Sequence, residues 1–313
     1  MSENKPNMAV NIGGINMKNP VTVASGTFGY GPEYAELVDL NRLGAITVKG
    51  ICAEPHTGNP TPRTFETRSG MLNAIGLPGP GAAGFIEKYA SFLSRYDLPV
   101  IVNVWGKTVA DYGRVVEMLS SESVVTGFEV NVSCPNIKEG GSLYGTDVQP
   151  FSAVIEEVRK KTHKPVIPKL APNVSNIALF AKTAEDCGAD AISIMNSYPA
   201  MAINIETRKP ELANRTGGLS GPAIKPIAIK LVWEAAKAVK IPIIGMGGIN
   251  CPEDALEFII AGAAAVAVGT ANFTDPSTAV RVIEGIEAYL IRHGIASVSD
   301  LSGTVQGDLS SGR

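Results

Sequence analysis

One segment of the sequence places a reactive side chain where a ligand could meet it. The run EVNVSCPNIKEGG passes from an apolar stretch into a turn-forming stretch, and Cys134 stands at that change between Ser133 and Pro135. Glycines further along would let the loop fold over a neighbouring pocket. A thiol near solvent or a ligand can titrate from its ordinary pKa of about 8.5. Cys134 is therefore a candidate catalytic residue.

The other cysteines and the histidines are weaker candidates. A free cysteine is more often a small buried apolar residue than a catalyst, and we expect that role for Cys52, Cys187 and Cys251. The three histidines lie in a proline-rich segment or at predicted helix ends, where contact with the helix dipole is the expected role. The cysteines form no C-x-x-C unit, so the sequence predicts neither a metal site nor a disulfide framework.

Polar side chains end the predicted strands. Lys49 and Lys169 each end an apolar run, where burying an ammonium without a partner is costly, so each should face an anion or an electron-rich ring. Four other strand ends carry a hydroxyl or an amide: Ser25, Asn103, Asn131 and Asn196. Because the strand ends of a parallel barrel converge, these side chains would surround one pocket.

The last two predicted strands end in glycine, within GMGGIN and VAVGTANF. Gly247, Gly248 and Gly269 would let the backbone approach a ligand closely. Backbone N–H groups after the seventh and eighth strands form the commonest phosphate site of a parallel barrel. These loops favour a phosphorylated cofactor. GMGGIN lacks the third glycine of a dinucleotide fingerprint, so it does not predict a Rossmann fold.

Eight short apolar runs bounded by Gly, Pro or Asn supply the strand ends. The predicted strands are Val21 to Ser25, Ala45 to Lys49, Val100 to Trp105, Gly127 to Val132, Val166 to Leu170, Ala191 to Asn196, Ile243 to Gly247 and Ala265 to Gly269. The predicted helices are Glu33 to Leu43, Gly81 to Arg95, Thr108 to Ser120, Pro150 to Thr162, Ser175 to Cys187, Ala223 to Val239, Pro252 to Ala261 and Pro276 to His293.

This alternation predicts an α/β fold, a (β/α)₈ TIM barrel with eight parallel strands. Continuous apolar runs are expected when both faces of a parallel strand are buried. Two connections, Gly50 to Pro80 and Ser197 to Pro222, are longer than turns require. Both follow strands, so we expect long active-site loops at the C-terminal face of the barrel.

Length and composition fit one soluble domain. The 313 residues are 45% hydrophobic, and a barrel of this kind takes about 250 residues or more. We assign residues 1–300 to the barrel and residues 301–313 to a polar C-terminal tail that could be disordered. A net charge of −3 without a basic block argues against nucleic-acid binding. The sequence shows neither a secretory signal nor a long apolar span, so we expect a cytoplasmic protein without membrane contact.

Motifs along nearly the whole chain resemble those of the dihydroorotate dehydrogenase family. The resemblance covers the chain from Val10 to Ala288, and its motifs follow the family's order: ASGTFG, TVKG, NAIGLPGPG, NVSCPN, PKLAPN, MNSYPA, GGLSGPAIKP, GMGGI and VGTA. The cysteine in NVSCPN resembles the soluble class 1 enzymes. The membrane-associated class 2 enzymes carry serine there and an N-terminal extension that this sequence does not show.

The resemblance implies one FMN per chain and oxidation of (S)-dihydroorotate to orotate in pyrimidine (UMP) biosynthesis. It implies that FMN is held by Ser25, Lys49, Gly50, Asn103, Asn131, Lys169, Met195, Gly221, Gly247, Gly248, Gly269 and Thr270. It implies that the substrate is held by Lys49, Asn73, Ala74, Ile75, Gly76, Leu77, Asn131, Asn196 and Ser197. Cys134 would be the base that removes the C5 proton while a hydride leaves C6 for the flavin. Lys169 would stabilise the negative charge of reduced flavin.

The sequence resemblance indicates the final electron acceptor less specifically than it indicates the family. NVSCPNIKEGG and LANRTGGLSG look more like the class 1B catalytic subunit, which works with a partner subunit carrying FAD and a 2Fe-2S cluster and reduces NAD⁺. That resemblance implies a homodimer assembled with the partner into a heterotetramer. The fumarate-reducing class 1A homodimer is the close alternative, and a flavin barrel like that of dihydropyrimidine dehydrogenase is another. A non-catalytic FMN module and a phosphosugar isomerase or aldolase on the same barrel stay open as well.

Overall fold

The structure, a computed structural model, describes residues 5–133 and 141–306, with the backbone alone for 141–143. Eight strands form the central sheet: β1 Val21–Val23, β2 Ile46–Ile51, β3 Val100–Val104, β4 Val125–Asn131, β5 Val166–Leu170, β6 Ile192–Ile194, β7 Ile243–Met246 and β8 Ala265–Val268. Each of the eight predicted strands is present, with ends that differ by at most two residues.

The central sheet is a nearly closed parallel barrel. Its strands follow the order β1-β8-β7-β6-β5-β4-β3-β2, and each hydrogen-bonded pair is parallel. The two end strands meet where Gly44 N donates to the Val21 carbonyl (2.9 Å) and Thr22 Oγ1 donates to the Ala45 carbonyl (3.0 Å). The predicted (β/α)₈ TIM barrel is confirmed.

Helices follow the strands and cover the outside of the barrel. They are Pro32–Ala35, Gly81–Phe85 continuing through the π-helical Ile86–Ala90 into Ser91–Leu93, Val109–Ser120, Gly141–Thr146, Val148–Lys161, Ile177–Asp186, Lys225–Ala236, Pro252–Ala261, Ala271–Thr274 and Thr278–His293. Short 3₁₀ turns occupy Leu40–Arg42, Pro222–Ile224 and Val298–Leu301. Local sequence sets several helix starts. For example, Thr108 Oγ1 accepts from Asp111 N while the Asp111 carboxylate accepts from Thr108 N.

The prediction of one continuous helix from Glu33 to Leu43 was wrong. The segment from Glu33 to Leu43 forms the four-residue helix Pro32–Ala35 and then the separate turn Leu40–Arg42. Asp39 lies between them in an extended conformation, and its carboxylate accepts from Asn41 N (3.0 Å). An aspartate that bonds the backbone two residues ahead competes with a continuing helix.

Inward-facing residues divide the barrel interior into an apolar lower part and a polar upper part. Ile101 and Ile167 are buried, and Asn103 and Lys169 follow each of them two residues later. Residues two apart on a strand share a face, so the polar side chains lie above the apolar ones toward the C-terminal end. A β-hairpin of Val10–Ile12 and Ile15–Met17 packs against the apolar part. The sequence analysis did not predict this hairpin.

The two long connections pair with each other. Gly70–Asn73 lies beside Thr64–Thr67 and Gly217–Ser220, and the latter pairs with Tyr198–Ala200, so that four antiparallel strands form a second sheet. We call it the mouth sheet because residues from it line the cavity at the barrel opening. A further short pair, Ile203–Asn204 with Lys209–Pro210, lies in the second connection. The predicted long loops at this face are confirmed, although their strands were not predicted.

Leu301 and Ser302, the first residues of the predicted C-terminal tail, contact the rest of the domain. Leu301 is buried, and Ser302 Oγ donates to the Ala263 carbonyl (3.1 Å). Residues 307–313 lie outside the described part, so a separate tail over 301–313 remains a prediction. None of the helices in the described residues has both the length and the apolar character needed to cross a bilayer.

Candidate functional site

A cavity of about 430 Å³ opens at the C-terminal end of the barrel, between the strand ends and the mouth sheet. It brings together most residues that the sequence analysis selected: Ser25, Lys49, Gly50, Asn73, Ile75, Gly76, Leu77, Asn131, Lys169, Met195, Asn196, Ser197, Gly221, Gly247, Gly248, Gly269 and Thr270. Positions from seven of the eight strand ends and from both long connections therefore meet in one place.

Three selected residues are not in this lining. Asn103 is fully buried behind the wall, where its Oδ1 accepts from Asn131 Nδ2 (3.4 Å). Ala74 is also buried, packs in a small apolar cluster with Leu72, and its N donates to the Arg63 carbonyl. Both residues touch the lining from behind. The third, Cys134, lies outside the described residues.

The barrel axis carries a buried ion pair beneath the cavity. Lys169 Nζ lies 3.3 Å from Glu129 Oε1, and the two side chains are only 5% and 3% exposed. Lys169 Nζ also donates to Ser25 Oγ (3.3 Å), which lies in the lining. An ammonium held at this depth presents its charge to a ligand with little screening by water.

A second cation, Lys49, lines another part of the cavity. Burial lowers the pKa of the Lys49 ammonium; the Glu33 carboxylate opposes this shift and the Arg63 guanidinium adds to it. The backbone holds the residue in place, because Lys49 N donates to the Gly29 carbonyl (3.0 Å). A bound anion would restore the stabilisation that the partly buried ammonium loses from water.

A chain of side-chain amides crosses the floor of the cavity. Asn196 Nδ2 donates to Asn131 Oδ1 (3.2 Å) and to Ser133 Oγ (3.0 Å). Asn196 Oδ1 accepts from Ser197 N (2.8 Å), which fixes the orientation of the amide group. Amides carry both donors and acceptors, so this chain can match a ring whose edge alternates N–H and C=O groups.

Glycines shape the side of the cavity formed by the later strands. Gly247 and Gly248 have φ values of +124° and +82°, which side chains with a Cβ rarely adopt. A Cβ on Gly248 would lie 2.9 Å from the Gly221 carbonyl oxygen, so the two backbones meet without space for a side chain. Nearby, Thr270 Oγ1 donates to Ser220 Oγ (2.8 Å). This wall exposes backbone and hydroxyl groups in the manner of a phosphate site.

The comparison with known proteins decides the family. The sequence profile described as dihydroorotate dehydrogenase matches residues 7–290 of this chain. The chain belongs to the dihydroorotate dehydrogenase family. The resemblance found in the sequence is confirmed, and family membership makes the chain an oxidoreductase.

Relatives within the dihydroorotate dehydrogenase family are similar over nearly their whole length. Three of them carry the name dihydroorotate dehydrogenase B (NAD(+)), catalytic subunit. The relative from Geotalea uraniireducens is 52% identical over 301 residues, covering 96% of this chain and 99% of the relative. That from Citrifermentans bemidjiense is 53% identical, with 96% and 99% covered, and that from Lachnoclostridium phytofermentans is 54% identical, with 96% and 100% covered.

Sequence reasoning missed Glu129 and part of the cavity wall. A signal for Glu129 was present, because a lone carboxylate interrupts the buried strand GFEVN two residues before Asn131, on the same face. The lining residues that were missed are mostly small or apolar: Ala24, Gly26, Thr27, Thr64, Met71, Ser220, Ile224, Met246, Ala267 and Phe273. Thr64, Met71 and Ser220 belong to the mouth sheet, whose pairing has no local sequence pattern.

Proposed function

We propose that this chain is a catalytic subunit that oxidises dihydroorotate to orotate in pyrimidine biosynthesis, with FMN in the barrel cavity and NAD⁺ as the final acceptor through a partner subunit. The observation that carries the proposal is one cavity that combines two cations, an amide chain and a glycine-shaped wall. The family and the printed names of the relatives supply the reaction.

The cavity suits FMN in its volume and in its chemistry. About 430 Å³ lies within the range of roughly 300–1,000 Å³ typical of cofactor pockets. Gly221, Gly247, Gly248, Gly269 and Thr270 offer backbone and hydroxyl donors for the phosphate, which a Cβ at Gly248 would obstruct. At the other end, the ammonium of Lys169 and the hydroxyl of Ser25 are available to the ring. Asn103 and Asn131 would complete the cofactor site, the first from behind the wall.

The substrate would lie on the amide side of the cavity. Lys49 would pair with the carboxylate of dihydroorotate, and Asn131 and Asn196 would bind the ring's N–H and C=O groups. The segment 73–77 and Ser197 would enclose the ring, with Ala74 supporting the segment from behind. Neutral pyrimidines would lack the partner for Lys49, so this arrangement selects an acidic substrate.

The proton and the hydride that leave the substrate would be accepted by two different groups. Bound FMN supplies the acceptor for the hydride that leaves C6. Cys134, as a thiolate, would accept the proton from C5, and the Lys49 ammonium would hold the carboxylate so that this carbon faces the thiolate. The mouth sheet would exclude water from the cavity. Water would otherwise compete for the hydrogen bonds between the cavity residues and the substrate. The residues thus orient the substrate and remove one proton.

Gly248→Ala should weaken FMN binding by about tenfold or more, since a loss of roughly 1.4 kcal/mol is tenfold in affinity. The new Cβ would lie 2.8 Å from Lys225 Cβ and 2.9 Å from the Gly221 carbonyl oxygen, so the wall must shift. Gly294→Ala is the matched control, because Gly294 also has a positive φ (+64°) but nothing lies within 4 Å of its Cβ position. Fluorescence titration of the apoprotein measures both. Equal FMN affinity in the two variants would contradict the assignment of this wall.

Lys49→Met should weaken orotate binding by roughly 10- to 100-fold, the value of a charge-assisted hydrogen bond of about 1.5–3 kcal/mol. Uracil, which lacks the carboxylate, should bind the variant and the unchanged chain equally well. Spectral titration of the FMN-loaded protein with each ligand gives the two affinities. Equal losses for orotate and uracil would mean that Lys49 shapes the cavity without pairing with the carboxylate.

The lowered pKa of Lys49 also leads us to expect that orotate affinity depends on pH. Its pKa is lowered by burial, so in the free protein the ammonium is lost at a lower pH than for an exposed lysine. Affinity for orotate should be full below that pKa and should fall as pH rises through it. Uracil affinity should not follow this curve.

The electron path beyond FMN requires a second polypeptide. FAD and a 2Fe-2S cluster would be carried by that partner, and two copies of each subunit would form a heterotetramer in the cytoplasm. The name catalytic subunit, borne by the relatives, supports a partner. The test is to purify the chain together with the products of adjacent genes and to measure NAD⁺ reduction by dihydroorotate. Efficient fumarate reduction by the chain alone would overturn the NAD⁺ assignment in favour of a class 1A enzyme.

A further inference from the structure

The carboxylate of Glu129 stands at the centre of the buried polar layer. Its Oε1 accepts from Asn103 Nδ2 (2.6 Å) and lies 3.3 Å from Lys169 Nζ, and its Oε2 accepts from Ser193 Oγ (2.9 Å). These partners come from three other strands, β3, β5 and β6. Glu129 itself is 2% exposed and is not part of the cavity lining.

We propose that Glu129 is a positioning residue that fixes Lys169 under the FMN ring and offsets its charge, thereby setting how strongly the site prefers reduced over oxidised FMN. The inference rests on the proposed function, because it takes FMN as the ligand above Lys169. Because Glu129 is outside the cavity lining, it would touch neither cofactor nor substrate. It acts through Lys169 on one side and through Asn103 on the other.

The charge of the pair gives the direction of the effect. With Glu129 ionised, the ammonium of Lys169 and the carboxylate together carry no net charge. Reduced FMN carries more negative charge than oxidised FMN, so an uncompensated ammonium favours the reduced form. At this depth the interaction is little screened by solvent, since both side chains are 5% exposed or less. Removing the carboxylate's charge should therefore raise the affinity for reduced FMN relative to oxidised FMN.

The Lys169–Glu129 ion pair should contribute little to the net stability of the fold. A buried ion pair often contributes little net stability compared with well-packed apolar residues, because desolvation of both charges offsets their attraction. The hydrogen bonds, in contrast, define geometry. Lys169 Nζ is held between Glu129 and Ser25 Oγ, and Asn103 is held between Glu129 and Asn131. One carboxylate thus orients two groups of the proposed cofactor site, Lys169 directly and Asn103 through a hydrogen bond.

Glu129→Gln is the decisive variant, because it keeps the shape of the side chain and removes its charge. The full-length chain is loaded with FMN, and the ratio of its affinities for reduced and oxidised FMN is obtained from the midpoint potential and from direct titration. We expect the ratio to rise at least tenfold, which corresponds to about 30 mV for a two-electron couple. Ser193→Ala is the control, because it removes a hydrogen bond to Glu129 and leaves both charges; its ratio should change less than twofold.

The outcomes separate this inference from the proposed function. A ratio in Glu129→Gln equal to that of Ser193→Ala, or lower than that of the unchanged chain, would overturn the role of Glu129 while FMN binding and reduction by dihydroorotate stood. An unchanged chain that binds no FMN would overturn both. If Glu129→Gln does not fold, Glu129→Asp replaces it: its carboxylate is withdrawn from Lys169, so a smaller rise of about threefold is expected, and no rise would contradict the proposal.

Discussion

Replacing Cys134 with alanine should lower the turnover of dihydroorotate by a factor of about 10² to 10⁴, the usual contribution of a positioned general base. The variant should still be yellow with FMN and should still bind orotate, because the proposed cofactor and orotate contacts come from residues in the barrel cavity. Stopped-flow reduction of the bound flavin under anaerobic conditions isolates this step. A variant that reduces its flavin as fast as the unchanged chain would exclude Cys134 as the base.

Cys52→Ala is the matched control for the cysteine prediction. Cys52 donates to the Glu54 carbonyl, and burial raises the pKa of its thiol to about 11. At neutral pH this thiol is protonated and cannot accept a proton. The control should therefore keep nearly full turnover, whereas loss of activity in both variants would indicate a general sensitivity to cysteine replacement.

The same base predicts how the rate depends on pH. A thiol must lose its proton before it can take one from the substrate, so flavin reduction should rise about tenfold per pH unit below the pKa of Cys134 and level off above it. An unperturbed thiol would place the bend at about 8.5. In Cys134→Ala the residual rate should lose this bend. A rate that falls with rising pH in the unchanged chain would be inconsistent with a thiolate base.

Lys169→Met should have the second large effect, on both stability and FMN binding. The variant leaves Glu129 buried without its cationic partner, and breaking a buried pair in this way costs about 3–5 kcal/mol in the free energy of unfolding. FMN should bind roughly 10- to 100-fold more weakly, because the charge-assisted contact proposed between Lys169 and FMN would be lost. Chemical denaturation and FMN titration measure the two quantities separately.

A double variant distinguishes the two effects of Lys169. Adding Glu129→Leu to Lys169→Met removes the unpaired carboxylate, so much of the lost stability should return. The affinity for FMN should stay low, since the ammonium is still absent. Recovery of FMN binding together with stability would show that Lys169 supports the fold without contacting the cofactor.

The barrel could be predicted from sequence because its strands are buried on both faces. Such strands are continuous apolar runs, so Val166–Leu170 is recognisable without any tertiary information. Polar residues at the ends of those runs, such as Lys49 and Asn131, then indicate the cavity, since a buried polar group without a partner is costly.

The mouth sheet could not be predicted in the same way. Its strands Gly70–Asn73 and Gly217–Ser220 are short, rich in small residues, and paired across about 145 positions of sequence, as in the hydrogen bond from Asn73 Nδ2 to the Gly218 carbonyl. Local propensity says little about such pairing, because strand stability depends on neighbours across the sheet. The N-terminal hairpin Val10–Ile12 with Ile15–Met17 escaped prediction because its residues are few.

The hydrogen-bond partners of buried polar residues could be predicted from the sequence only in part. Asn103 was predicted to line the pocket because it ends a strand, and the family resemblance implied a cofactor contact, yet it is fully buried outside the lining and its side chain donates to Glu129. A strand position gives the face on which a side chain lies, but its hydrogen-bond partner depends on a carboxylate from the adjacent strand. Reading Glu129 together with Asn103 and Lys169 would have predicted the buried network.

We expect this chain to bind FMN in the barrel cavity and to reduce it with dihydroorotate. The most direct test is the visible absorption spectrum of the purified chain, recorded before and after anaerobic addition of one equivalent of dihydroorotate. We expect a flavin spectrum that bleaches with dihydroorotate and not with dihydrouracil, because the proposed role of Lys49 is to pair with the carboxylate. A colourless protein that takes up no FMN, or a flavin that dihydrouracil bleaches better than dihydroorotate, would contradict the account.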